Sequence, residues 1–279
     1  MKLIKTIFCI LFIAIQTIAF SRHAKLTFCD VKIIFHTVVG NKPFAFDSNY
    51  VTPLGDTFSV SKFKFFVGNP QFTSKKHMGG SSFDNYFLVN QEDTASQIVS
   101  FQAGNFFTDH LEFKIGVDSA KNVSGVQTGA LDPATGMFWT WNSGYVMAKL
   151  EGKSPQSKAP FGKITYHIGG FKKENNVIQN ISLPLKKEYL DSKSFIYIDS
   201  LEKIDRKHLR LSDIDTTLFY TYHCAAITIH INVDLNKWFD DPHPIKIANE
   251  SFCMSPGKMA VEIADNYANM FSIQSVTVQ

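Results

Sequence analysis

The clearest periodicity in the chain has a step of two. From 226 to 234, Ile227, Ile229, Ile231 and Val233 alternate with Thr228, His230, Asn232 and Asp234. That is the pattern of a strand with one apolar face buried and one polar face outward. Similar apolar runs recur at KLTFCDVKIIFHTVV (25–39), FSVSKFKFFV (58–67), YFLV (86–89), LEFKIGV (111–117), YVMAKLEG (145–152), KITYHIGG (163–170) and SFIYI (194–198). Turn-forming clusters fall between them, among them TPLGD, GNP, MGGSS, DPATG and EGKSPQSKAP. Helical spacing is confined to two stretches. DIDTTLFYTY (213–222) carries it weakly. GKMAVEIADNYANMF (257–271) carries it through Val261, Ile263, Ala264, Tyr267, Met270 and Phe271. Many short strands joined by polar turns predict an all-β fold, an antiparallel β-sandwich-like domain with a small helix near the C-terminus. The stretch from Gly152 to Pro160 is the only linker-like one and is too short to divide the chain. The reading is therefore one domain over 22–279.

The first 21 residues stand apart. Lys2 and Lys5 precede an apolar run from Ile7 to Phe20 that ends at Ser21, the layout of a secretory signal peptide cleaved after that serine. The run is short for a membrane anchor. The whole chain carries 28 basic and 25 acidic side chains, a formal charge of +3. With no clustering of Lys or Arg, nothing points to nucleic acid. The residues after Ser21 hold Cys29, Cys224 and Cys253, with no Cys-x-x-Cys pair. That spacing argues against structural zinc, and the thiols are read as small buried hydrophobes.

Common catalytic signatures are missing: no Gly-x-Ser-x-Gly, His-Glu-x-x-His, P-loop or dinucleotide-binding glycine pattern occurs. Candidate chemistry gathers in the middle third. GVDSAKNVSG (116–125) brings Asp118 and Asn122 into one polar loop, and ALDPATG adds Asp132. Such loops hold calcium or cap their own backbone. Asp118 and Asp132 are also a conceivable carboxylate pair for glycoside hydrolysis. Among nine histidines, His167 ends a strand just before Gly169-Gly170, where a ligand or another backbone can approach closely. In GMFWTWNSGY (136–145), strand geometry puts Trp139 and Trp141 on one face. Rings of that size serve a core or a binding surface equally well.

Taken together, IGVDS..N.SG, GALDP..GMFWTWNSGY, KLEG.SP, YHIGGF and IADNYANMF resemble the MbnP-like family of exported proteins. This family is associated with copper handling and methanobactin in methane-oxidising bacteria, with many members in Bacteroidetes-type bacteria. The resemblance implies a β-sandwich-like fold in the periplasm or at the cell surface. It also implies a copper cofactor held by histidines near a tryptophan that a dihaem MauG-like (MbnH-like) peroxidase oxidises to kynurenine. Carried over, the motif falls on Met137, Phe138, Trp139 and Trp141, and the strand histidine on His167. The Asn-His pair that copper-site members carry before the tryptophan motif reads Asn122-Val123 here, so one imidazole is missing. His36, on the first long strand, is the candidate replacement ligand, with His230 or Met254 as a substitute. The competing expectation is a metal-free cell-surface module, in which Trp139, Trp141 and Tyr145 stack on a glycan or the surface meets a protein.

Overall fold

The computed structural model describes residues 28–73, 85–104, 109–125, 127–140, 143–186 and 226–278. The predicted signal segment, the SFIYI strand, the weak helix at 213–222, Cys224 and Trp141 lie outside them. Among the described residues the strands are β1 (Phe28–Val39), β2 (Lys42–Pro43), β3 (Tyr50–Val51), β4 (Thr57–Thr73), β5 (Tyr86–Asn90), β6 (Ile98–Gly104), β7 (His110–Ile115), β8 (Phe138–Thr140), β9 (Gly144–Lys153), β10 (Lys163–Gly169), β11 (Gln179–Pro184), β12 (Ile227–Asp234), β13 (Phe252–Cys253) and β14 (Phe271–Val278). The α-helices are α1 (Ser119–Val123), α2 (Asn236–Phe239) and α3 (Lys258–Tyr267).

These strands form a sandwich of two mixed sheets. A five-stranded sheet runs in the order β14-β12-β1-β2, with β6 also on β1. A nine-stranded sheet runs β11-β7-β4-β9-β10-β13, with β3 and β5 on β4 and β8 on β9. Antiparallel pairs predominate, as the turn-rich sequence implies. The exceptions are β1 with β12 and β10 with β13, which are parallel. Strand alternation sorts side chains as read from the sequence: Ile227, Ile229, Ile231 and Val233 are buried, while their polar neighbours face outward. The sheets meet through aromatic rings. Phe35 of β1 packs edge-on against Phe65 of β4 and Phe113 of β7, at 5.6 and 5.9 Å between centroids, and against Phe271 of β14. Such edge-to-face pairs add to the burial of the rings themselves.

Three places depart from the periodicity. The helix at the C-terminus ends at Tyr267, and Phe271 opens β14 instead of extending the apolar stripe. Its ring is needed between the sheets, where it meets Phe35, Phe65 and Phe113. GNP (68–70), which reads as a turn, lies inside β4 as an irregularity in its pairing with β7; Asn69 takes a positive φ of 50° there. The linker-like loop after Gly152 is the connection between two antiparallel neighbours, β9 and β10. Cys253 is a free buried thiol, as expected of a small hydrophobe.

Candidate functional site

The outer faces of the two sheets differ: among the described residues, a long segment roofs only the face of the nine-stranded sheet. On β9 the core-facing residues Val146, Ala148 and Leu150 alternate with Tyr145, Met147 and Lys149, yet all six are buried. The second set is covered by the segment that runs from Gly116 to Thr140. Phe66 and Phe138 both pack edge-on against Tyr145, at 5.7 and 4.9 Å. The Tyr145 hydroxyl donates to Leu131 O at 2.7 Å, and Val117 N approaches Met147 Sδ at 3.2 Å. Lys149 Nζ donates to Gly136 O at 2.5 Å, and burial pushes its pKa down.

Asn122 fastens this roof. It is 2% exposed, and its Nδ2 donates to Val117 O at 2.6 Å and Asp118 O at 3.1 Å while its Oδ1 accepts from Tyr145 N at 2.9 Å. The amide is therefore fully used in joining α1 to β9. A side chain at Gly144, which has φ of 73°, would strike Asn122 Oδ1 at 2.2 Å. The neighbouring Val123, standing where the resemblance implies a histidine, is 67% exposed.

Asp118 lies at the edge of the roof, where it accepts from Lys114 Nζ and Tyr86 Oη, each at 2.7 Å. Burial raises its pKa, but those two donors outweigh it and hold the carboxylate below its ordinary value. Asp132 accepts from Ala134 N at 2.8 Å and caps the short turn Pro133–Thr135. Asp132 thus caps its own backbone, whereas the Asp118 carboxylate makes no backbone cap and is tied to side chains of β5 and β7. Among the described residues no group of three or more His, Cys, Asp or Glu side chains is placed to hold a metal ion.

Trp139 is half-buried and packs against the core. A Cβ at Gly169 would lie 2.6 Å from its Cζ3 and 2.9 Å from its Cη2, so Gly169 is what lets the indole lie against β10. The close approach read at Gly169 is made by this ring. Its indole N–H is shielded from solvent with no hydrogen-bond partner among the described residues. Tyr145 is fully buried with its hydroxyl bonded, so it is not available to stack on a glycan as the metal-free reading requires.

His167, on the same sheet, faces outward between the buried Tyr166 and Ile168. Its Nε2 pairs with Glu151 Oε1 at 2.7 Å, and Lys62 approaches the other oxygen of Glu151 at 3.5 Å. Burial lowers the imidazole pKa; Glu151 opposes this, and Lys149 and Lys62 reinforce it. Glu151 is held below its ordinary carboxylate pKa: burial raises it, but the His167 hydrogen bond and the charges of Lys62, His167 and Lys149 together prevail. The place is crowded with positive charge and unfavourable for a metal cation.

His36 lies on the other outer face. It follows Phe35, whose ring points into the core, and so points away from the nine-stranded sheet. A single ion cannot be held by His36 and His167, because they project from opposite outer faces of the sandwich. The partner the fold brings to His36 is His230 of β12. The register pairs Ile34 with His230 and His36 with Asn232, which places the two imidazoles on neighbouring strands. Their nitrogens, His36 Nε2 and His230 Nδ1, are 2.8 Å apart, and the rings stack at 5.1 Å with 10° between planes. Burial lowers the pKa of His36 and the charge of His230 lowers it further. The pair opens into a groove of about 550 Å³ that Gln91, Gln97, Asn232 and Gln274 also line. The sequence names both histidines but not their adjacency, which depends on a parallel register.

The sequence profile of the MbnP family matches residues 29–255. Among solved structures, MbnP from Methylosinus trichosporium superposes with a TM-score of 0.51 at 12% identity, covering 90% of this chain and 99% of that one. At that identity the likeness speaks for the fold alone. No curated protein matches the sequence. With a match that spans most of its length, the chain belongs to the MbnP family.

Proposed function

We propose that this is an exported copper-binding protein of MbnP type, that His36 and His230 hold the copper, and that Trp139 is open to oxidation by a dihaem MauG-like peroxidase. One observation carries the copper assignment: two imidazole nitrogens 2.8 Å apart in the lining of a groove that also presents side-chain amides. Neutral imidazole suits copper among the transition metals. The first long strand thus supplies the ligand expected of His36, and β12 supplies the imidazole that Val123 does not. Holding a cation would need a lone pair from each imidazole, so binding would weaken as pH falls. Gln91, Asn232 and Gln274 carry amide oxygens in the same groove. Copper bound there would supply one-electron redox chemistry.

Trp139 enters the reading separately, since it belongs to the opposite face. Its support is an indole that is half-buried, held against Gly169 and left without a hydrogen bond to its nitrogen among the described residues. Trp141 lies outside the described residues and stays the alternative ring.

The test is a titration with Cu(I) and with Cu(II), each against a competing chromophoric chelator. His36→Ala and His230→Ala should each weaken binding by about a hundredfold or more, while His167→Ala leaves it unchanged. Unchanged affinity in the first two variants, or loss in the third, would overturn the assignment. Mass spectrometry of the 136–145 peptide from protein made in its own host tests the second part. Kynurenine at Trp139, with one oxygen gained and one ring carbon lost, is the expected result.

A further inference from the structure

The connection between β9 and β10 carries a side chain that stability alone would not select. Phe161 is 87% exposed at its tip and takes φ of 61° and ψ of 22°, the left-handed region that bulky side chains avoid. The loop around it is well tied. Ser154 N donates to Gly162 O at 2.8 Å, Gly162 N to Ala159 O at 3.0 Å, and Ser157 Oγ to Lys163 O at 2.5 Å. Gln156 Oε1 accepts from Thr57 N of β4, which anchors the loop to the sheet. An ordered loop therefore holds an aromatic ring out in solvent at the expense of backbone strain, and strain of that kind collects at functional positions.

The charge around the ring is one-sided. Residues 153–163 read KSPQSKAPFGK, with three lysines and no acidic residue. Lys153, Lys158 and Lys163 are all exposed, and none forms an ion pair among the described residues. A second aromatic lies on the same border of the sheet. Phe252 of β13, 60% exposed, pairs with Thr165, two residues past the start of the β10 strand that leaves the tip.

We propose that this hairpin docks the protein on an anionic lipid surface. Phe161 enters the boundary between headgroups and acyl chains, and the three lysines meet the headgroup charges. A bare apolar tip ringed by cations suits a charged bilayer. The lysine stems lie along the apolar layer while the ammonium groups stay at the headgroups.

The experiment places a reporter at the tip. The chain carrying Phe161→Trp is mixed with phosphatidylcholine vesicles, with and without phosphatidylglycerol, whose acyl chains are brominated. The unsubstituted chain is the control for quenching of the native tryptophans. The new indole should be quenched in the anionic vesicles and not in the neutral ones. In the same background, Lys153→Gln, Lys158→Gln and Lys163→Gln together should weaken the quenching titration roughly a hundredfold. In a separate flotation assay with the anionic vesicles, Phe161→Ser should lower binding about tenfold relative to the unsubstituted chain. Because the quenching is local to position 161, attachment through another part of the chain does not mimic it. Quenching no greater than that of the unsubstituted chain would overturn the proposal and leave the tip to a protein partner. Equal quenching in neutral vesicles would overturn the role of the lysines.

Discussion

Two outward-facing strand positions, His36 and His167, look alike in sequence: each is an imidazole among residues that alternate into the core. The fold gives them different chemistry. His36 meets a second imidazole across a parallel pair of strands, in a part-buried groove on the outer face of the five-stranded sheet. His167 meets a carboxylate beside Lys62 and Lys149, on a face partly covered by residues 116–140. The first environment collects lone pairs with no lysine among the groove residues, and the second has already matched its imidazole to an anion. What a histidine can bind is decided by what stands beside it across the sheet, and here that differs between the two layers of one sandwich.

The comparison breaks most sharply at the roof. Asn122→Ala leaves Tyr145 N and Val117 O without partners in a buried place. It should cost about 3 kcal/mol, lowering Tm by roughly 5–10 °C. Copper binding at His36 and His230, on the opposite face, should be unchanged in protein that remains folded. Differential scanning calorimetry together with the chelator titration checks both halves. Loss of copper binding in the folded variant would mean that the faces are coupled.

Gly169→Ala acts on the same side with a smaller effect. The new methyl group falls 2.6 Å from the Trp139 ring and 2.8 Å from Tyr145 O, so about 2 kcal/mol of stability should be lost as the ring lifts. A red shift of tryptophan emission is the expected sign, and unchanged emission would mean that the indole does not lean on this glycine.

Phe161→Gly should move stability the other way. Glycine adopts the left-handed conformation without the Cβ penalty, so a gain of about 1 kcal/mol is expected in chemical denaturation. If the variant is no more stable, the tip is not strained.

The smallest effect concerns pH. Burial holds His167 below its unfolded pKa, so the unfolded chain takes up the proton first as pH falls. Its contribution is absent above about pH 6.5 and becomes a destabilisation as pH drops from there towards the lower folded value. Melting curves from about pH 8 to about pH 5 should therefore fall less steeply for His167→Gln than for the unsubstituted chain. Parallel curves would show that this imidazole is not held neutral by the fold.

Period-two alternation made β1, β4, β7, β10 and β12 legible, because the apolar face of a half-buried strand must be continuous to be buried; β9, buried on both faces, showed only as an apolar run. It missed β14. Met270 and Phe271 fit the helical stripe of α3, and only their packing against the other sheet shows that Phe271 belongs to a strand. At the site, composition and spacing could nominate His36, His167, His230 and the tryptophan motif, but not group them. Asn122 and Asp132 read as candidate oxygen ligands, and Asn122 is wholly engaged with the backbone while Asp132 caps its own turn. The alternation of apolar and polar residues, a local property, by itself determined that the chain folds as layered β-sheets and which side of each strand is buried. The pairing of His36 with His230, the separation of both from His167, and the covering of Tyr145 and Lys149 were decided by tertiary structure alone. Each depends on strand register and on a roof of residues that come together only when distant segments pack.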